Sequence, residues 1–417
     1  MNTANNSTQP QLIPARIADA LYDDLWLPEE ALSVRKLVRD FVEREVRPVA
    51  HALNNTPESL EAFPRELVGK MGEAGLLGLP FEQCYGGAGL QYPALATMVM
   101  LEEVAYVSSG LAAAMVDVQL ILFGHTLKHA RDSVKDLLFP ALCRGEIVGA
   151  FATSEPAAST DLSVRALETT ARADAGGYRL SGRKRWITNA PVADYMFVLC
   201  KLDAGLIMLL VDMSSAGVRV GEPDRKMGNH CQLTADVYFD DVFVPAEHLV
   251  GQEGNGLKAA LTSLTLGRVG IGACGIGMAQ AAFDYAVAYM QKRSVFGKQL
   301  AQYQHWQFRF ADYATQLESG RNLYIKAALS EDQGRPNIQT AAAMAKLAGS
   351  SLAGDIARDA IQVCGGYGFV KELAATGEQF PLEAIYRDSK IGEIYEGANE
   401  IQRMLVARAI FGKGVTG

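Results

Sequence analysis

Lys390-Ile-Gly-Glu-Ile-Tyr-Glu-Gly-Ala-Asn-Glu-Ile-Gln-Arg403 places Glu393, Glu396 and Glu400 around a glycine turn and the start of a helix. Glu396 is the candidate base. Shielding by Ile394 and Tyr395 would disfavour its charged form and raise its pKa toward the range where a carboxylate abstracts protons well. Gly397 then allows a sharp turn. Asn399 and Glu400 suit a first helical turn, followed by Ile401, Met404, Leu405 and Ala409 at helical spacing. A carboxylate beside a helix start is more commonly a cap or a solvated group, so this stretch alone leaves both roles open.

Other stretches carry chemistry of a different kind. Phe151-Ala-Thr-Ser-Glu-Pro-Ala-Ala-Ser-Thr-Asp161 combines hydroxyls, small residues and backbone donors that can bind the edge of a polar heterocycle or a phosphate. Trp186-Ile-Thr188-Asn189 adds an aromatic face and a hydroxyl, as a flat cofactor ring requires, although a hairpin with a half-buried Trp reads the same way. Arg293-Ser-Val-Phe296-Gly-Lys298 sets two cations around an aromatic, a grip for pyrophosphate and adenine or else a basic helix C-cap. Gln362-Val-Cys-Gly365-Gly366-Tyr-Gly368 permits close backbone approach or a helix stop. Gly270-Ile-Gly272-Ala-Cys-Gly275 satisfies G-x-G-x-x-G, but its neighbours are helical and residues 285–298 contain no acid. It reads as a close helix contact, not a dinucleotide site. His125 and His129 lack a third ligand, and the six dispersed cysteines form no Cys-x-x-Cys pair, so no metal site is expected.

The elements that position these groups follow from periodicity. From Pro28 to about 148 the pattern is helical, with Val34, Leu37, Val38, Phe41, Val42 and Val46 recurring on one face. Near 149 it changes to short strands: 178–181 after the turn 174–177, then 194–200 and 206–211 around Asp203-Ala-Gly205, and 237–244. From 257 the chain returns to long helices, at about 257–292, 302–330, 338–363 and 398–412. The expected class is α+β and multidomain, with an N-terminal helical domain, a central antiparallel β-barrel or sandwich and a C-terminal helical bundle. The expected divisions are a polar tail 1–27, then 28–148, 149–252 and 253–417.

Composition bounds the function. The 417 residues are 49% hydrophobic and 21% charged with a net charge of −8, which argues against general nucleic-acid binding. No signal peptide or membrane span is expected, which makes the cytoplasm the default location.

In order and wording the chain resembles the acyl-CoA dehydrogenase family from about 28 to 412. Tyr85-Gly-Gly-Ala-Gly-Leu90, Ser154-Glu-Pro156 with Asp161, Lys184-Arg-Trp-Ile-Thr-Asn189, Phe296-Gly-Lys298, Gln304, Gly365-Gly366-Tyr-Gly-Phe369 and Ile394-Tyr-Glu-Gly397 carry the resemblance. It implies a central β-barrel domain and a C-terminal four-helix bundle, with FAD held between barrel and helices. Phe151, Thr153, Ser154, Thr160, Trp186 and Thr188 would line the flavin. Arg293, Phe296, Gln304, Gln362, Gly365 and Gly366 would hold the adenosine diphosphate half of a neighbouring subunit's FAD, in a homo-oligomer, commonly a tetramer. Arg268 matches a position near the CoA thioester, flanked by Tyr395 and Gly397 as substrate contacts. The implied reaction makes a trans-2-enoyl-CoA, with Glu396 taking the α-proton and flavin N5 the β-hydride, and with an electron-transferring flavoprotein as acceptor. Some relatives carry the base near residue 267, where this chain has Gly267. A same-fold oxidase or monooxygenase, or a silent acyl-CoA-binding homologue, is the alternative. Ala157, Ser159 and Ala398 depart from the usual family wording, as does Asn229-His-Cys-Gln-Leu-Thr234.

Overall fold

The structure is a computed structural model and describes residues 16–416 apart from 23, 204 and 337. The elements that build the site are labelled in chain order: α1 (Glu29–Phe41), α2 (Pro93–Ala105), α3 (Ser109–Leu127), β1 (Gly149–Ala152), β2 (Thr170–Asp174), β3 (Gly177–Thr188), β4 (Tyr195–Leu202), β5 (Gly205–Asp212), β6 (Val218–Val220), β7 (Thr234–Pro245), α4 (Gly256–Lys292), α5 (Gln304–Asp332), α6 (Gln339–Cys364), α7 (Leu382–Gly392) and α8 (Asn399–Phe411).

α1 follows Pro28 and buries Ala31, Val34, Val38 and Phe41, spaced by three and four residues. Leu37, expected on this face, is instead exposed. α2 and α3 are buried on nearly every face as core helices, their acids Glu102, Glu103 and Asp117 included, and α3 is π-helical from Ala112 to Gly124. α3 and α4 are long and apolar enough to cross a membrane, yet 94% and 78% of their apolar windows are buried within the fold. Residues 1–15 of the expected tail lie outside the described residues. From Arg16 onward the chain is not a tail: Arg16 pairs with Glu103 at 2.6 Å, and the Tyr22 hydroxyl donates to the Ala314 carbonyl.

The central part is one seven-stranded, curled sheet, mostly antiparallel, with β1, β4, β2, β3, β7 and β6 in spatial order and β5 on the other edge of β4. The 174–177 turn and the hairpin of β4 and β5 stand where the sequence places them, the latter turning at 203–205, of which Ala204 lies outside the described residues. The all-antiparallel expectation needs correction, because β1 and β2 both run parallel to β4, pairing Gly149 with Tyr195 and Thr170 with Lys201. β4 and β5 are buried on both faces. Met196, Val198, Cys200, Ile207 and Leu209 face the sheet's own core, while Phe197, Leu199, Leu206 and Met208 join the helical core. Alternation of Cβ directions along a strand produces this division.

α4 and α6 pack through small residues. A Cβ on Gly272 would lie 2.7 Å from the Ala345 carbonyl oxygen, and one on Gly275 would overlap the Gly349 backbone. The glycine motif therefore serves helix contact, as its context implies. This close crossing sets α6, and the groups it carries, against the part of α4 that bears Gly267 and Arg268.

Candidate active site

α7 ends at Gly392, and a short turn leads into α8. Glu396 and Gly397 both adopt left-handed backbone there, with φ of +55° and +86°. Neighbouring side chains hold this turn from several sides. The Asn399 N–H donates to the Glu393 carbonyl at 3.0 Å, Gln402 Nε2 to the Gly397 carbonyl at 2.6 Å and Arg268 Nε to the Glu396 carbonyl at 3.1 Å. The Asn399 side chain is itself fixed, accepting from Lys346 Nζ at 2.8 Å and contacting Ser350 and Ser351. Among the described residues, the Glu396 backbone N–H has no acceptor.

The three acids of the turn separate cleanly. Glu400 is exposed and pairs with Arg403, Glu393 pairs with Lys390, and only Glu396 turns its carboxyl inward. Glu396 Oε2 is buried and without a hydrogen-bond partner, although the residue as a whole is only partly buried. Burial pushes the carboxyl up to about 7, opposed by Arg268, Lys346 and Asp117. The enclosing wall differs from the expected one. Ile394 is 55% exposed, whereas a Cβ on Gly267 would stand 2.6 Å from Oε2 and 3.1 Å from Leu122 Cδ2. Gly267 thus provides the space that the carboxyl occupies. Arg268 is buried, and Tyr395 is half-buried with its phenol pushed far up by burial.

The proposed flavin-facing residues form a second group. Phe151 is buried at the middle of β1, and Thr153 and Ser154 follow half-buried. This loop is fastened to β3 by a buried ion pair: Lys184 Nζ donates to Glu155 Oε1 at 2.8 Å and to the Thr153 carbonyl at 3.1 Å. The Arg185 N–H adds a bond to the Ser154 carbonyl. Trp186 lies in a bulge of β3 with φ of +58° and is 58% exposed, and Thr188 ends the strand. Thr160 is exposed, beyond the point where Glu155 and Ala158 bridge.

A buried polar chain ties this group to the base turn. Gln232 Nε2 donates to Thr188 Oγ1 at 3.2 Å, Asn229 Nδ2 to Gln232 Oε1 at 3.1 Å, and the Asn229 N–H to Asp388 Oδ1 at 2.7 Å on α7. Ser109, at the start of α3, contacts both Asn229 and Asp388. The unusual loop 229–234 therefore fastens β7 to α3 and α7.

The residues assigned to the adenosine diphosphate half lie elsewhere. Arg293, Gly365 and Gly366 line an open cleft of about 520 Å³ with Tyr289 and Tyr367, and none of the flavin-facing residues lines it. Phe296 is 99% exposed at φ +49°, and Gln304 and Gln362 are exposed at nearby helix ends without lining that cleft. Residue reading did not identify Asp117, Lys346, Gln402 or the Glu155–Lys184 pair as parts of the site. Asp117 left a signal, being the one acid in the apolar stretch 109–127.

Comparison with known proteins adds the family. Residues 28–146, 150–242 and 254–411 match the N-terminal, middle and C-terminal domains of acyl-CoA dehydrogenase. The chain is 38% identical over 392 residues to the mitochondrial short-chain specific acyl-CoA dehydrogenase of Bos taurus, covering 93% of this chain and 91% of that one. It also resembles butyryl-CoA dehydrogenase from Megasphaera elsdenii, with TM-score 0.85, 32% identity and coverage of 92% and 98%. A glutaryl-CoA dehydrogenase from Mycobacterium smegmatis, solved in complex with FADH2, gives TM-score 0.85 at 27% identity, with coverage of 95% and 98%.

Proposed function

The chain belongs to the acyl-CoA dehydrogenase family, and from that membership we propose how its residues carry out FAD-dependent α,β-dehydrogenation of an acyl-CoA thioester. Glu396 takes the α-proton onto its carboxylate. The observation that carries this assignment is the inward carboxyl against Gly267, raised to about 7 by burial and fixed by the Arg268 and Gln402 bonds to its turn. A base with a pKa near the working pH is ionised often enough to act and basic enough to accept the proton. The unpaired Glu396 N–H can receive charge developing on the thioester oxygen, which needs a donor already in place. Arg268 holds the backbone carbonyl of the same residue, and with Tyr395 and Gly397 it borders the thioester.

The donor set fits FAD. Trp186 presents an exposed ring face, Thr153, Ser154 and Thr188 present hydroxyls, and Phe151 supports the loop from below, with Thr160 at its outer end. Arg293 and the Gly365-Gly366 backbone suit a diphosphate, with Phe296, Gln304 and Gln362 around them. When bound, FAD supplies the acceptor for the β-hydride. Because the open cleft excludes the flavin-facing residues, we assign it to the cofactor of a neighbouring copy, in a homotetramer. In family terms the curled sheet is the barrel, and α4, α5, α6 and α8 are the four-helix bundle. A short, straight acyl chain is the proposed substrate, supported by the short-chain and butyryl-CoA relatives. An electron-transferring flavoprotein is the proposed acceptor and the cytoplasm the proposed location, both resting on the sequence reading.

An anaerobic titration with acyl-CoA thioesters of increasing length tests the reading. Bleaching of the flavin, greatest with the short chains and persistent until an electron-transferring flavoprotein is added, is the expected result. Absence of bleaching with every thioester contradicts dehydrogenation, and rapid recoloration in air would identify an oxidase.

A further inference from the structure

Asp117 is an unexpected ionisable group in an apolar helix. It is 1% exposed, and among the described residues no N–H or hydroxyl donor reaches either carboxyl oxygen; the side chain it faces is the carboxyl of Glu396. It lies in the π-helical part of α3, a geometry found mostly as single turns and often at functional sites. Two glycines of α4 locate it relative to the base. A Cβ on Gly267 would meet Glu396 Oε2 at 2.6 Å, and a Cβ on Gly270, three residues on, would meet Asp117 Oδ1 at 2.9 Å. Residues three apart lie on one helix face, about 5–6 Å between Cβ atoms. The two carboxyls therefore occupy neighbouring spaces against the same stripe of α4, walled by Leu101, Ile121 and Leu122.

Two ionised carboxylates in such a space would repel and lack solvation, so one must carry a proton. The charged neighbours decide which one. Arg268 from α4 and Lys346 from α6 act on Glu396 and favour its ionised form. Among the described residues no cation acts on Asp117, where burial and then the Glu396 charge push the carboxyl well above its ordinary range. Among the described residues the other titratable groups that face it are Cys274 of α4 and Tyr395 of the base turn, both pushed up by burial, with Asp388 of α7 behind them. Those two stay neutral and offer no counter-charge.

We propose that Asp117 is a positioning residue whose protonated carboxyl donates a hydrogen bond to the Glu396 carboxylate, orienting the base and keeping it ionised near neutral pH. This rests on Glu396 being the base. Asp117 takes no proton from the substrate; it lowers the cost of the buried charge that does.

The test is the pH dependence of anaerobic flavin reduction by butyryl-CoA in the holoenzyme, for wild type, Asp117→Val, Asp117→Asn and Glu396→Gln. Asp117→Val removes the donor, and its acid limb is expected to move upward by roughly one pH unit, the size of a lost hydrogen bond to a charged group. Asp117→Asn keeps a donor in the same shape and is expected to titrate close to wild type. A downward shift in Asp117→Val would mean that Asp117 is ionised; that result, no shift, or an equal shift in the Asn variant overturns the proposal. An infrared difference spectrum gives a readout independent of turnover, even where the Val variant does not fold. Above the limb, a buried protonated-carboxyl band present in wild type is expected to vanish in Asp117→Asn, and its persistence overturns the proposal. Glu396→Gln separates the two readings. If it reduces flavin like wild type, the base assignment itself fails. If it is inactive while Asp117→Val titrates like wild type, only the role of Asp117 falls.

Discussion

Glu396 holds a left-handed backbone conformation that costs a residue other than glycine about 1–3 kcal/mol, and the Arg268, Gln402 and Asn399 contacts over-determine it. The gain is an aimed, desolvated carboxyl, and its pKa of about 7 has opposite consequences for rate and stability. A base must be ionised, so flavin reduction should rise as pH passes upward through about 7. Stability runs the other way. The folded pKa exceeds the ordinary 4.5, so the folded state binds the proton more tightly, and the cost of burying the charge grows between 4.5 and about 7. Thermal melts of Glu396→Gln against wild type should coincide below this window and favour the Gln variant above it. Gly267→Ala tests the space: a methyl 2.6 Å from Oε2 should displace the base and cut the reduction rate by roughly a hundredfold, while FAD content holds. Glu396 was readable as a candidate from its wording, but its enclosure was not. Ile394 looks like a shield in sequence and points outward, whereas the real walls come from α3 and α4, far away along the chain.

Among the elements, the connection between β1 and β3 depends on Glu155 and Lys184, whose side chains are 1% and 0% exposed. Removing one partner of a buried pair leaves a charge without compensation, so Lys184→Met alone should cost about 3–5 kcal/mol in chemical denaturation. The double variant with Glu155→Leu should recover most of that stability, because apolar replacements of both partners are often neutral. Loosening the loop that carries Thr153 and Ser154 should also weaken FAD retention in the single variant. The helices α1, α4, α5, α6 and α8 were legible because each repeats apolar or small residues at helical spacing. α7 was not. Its buried residues include Asp388, which binds Asn229, and the small Ser389 and Gly392, and these break the apolar stripe that marks a helix in sequence. β1, β2 and β6 carry no clear strand signal, β1 for its small residues, β2 for its mostly exposed, polar sequence and β6 for its three-residue length.

For the whole molecule, the order of helices, sheet and helices was visible in the change of period at 149 and 256, whereas the parallel pairing of β1 and β2 with β4 was not, since pairing depends on distant partners. The division of the proposed cofactor residues between two places is a property of this scale. If the open cleft serves a neighbouring copy, Arg293→Ala should weaken FAD binding about tenfold or more by removing a charge-assisted bond to the diphosphate, measured by equilibrium titration of the apoprotein. Light scattering on the same samples should report an oligomer for the wild-type holoenzyme. The most direct test of the whole account is anaerobic stopped-flow mixing of butyryl-CoA with FAD-loaded wild type and Glu396→Gln. Rapid bleaching is expected in wild type and, in the variant, unchanged FAD content and thioester binding with reduction slower by several powers of ten. Wild-type-like reduction in Glu396→Gln would contradict Glu396 as the base.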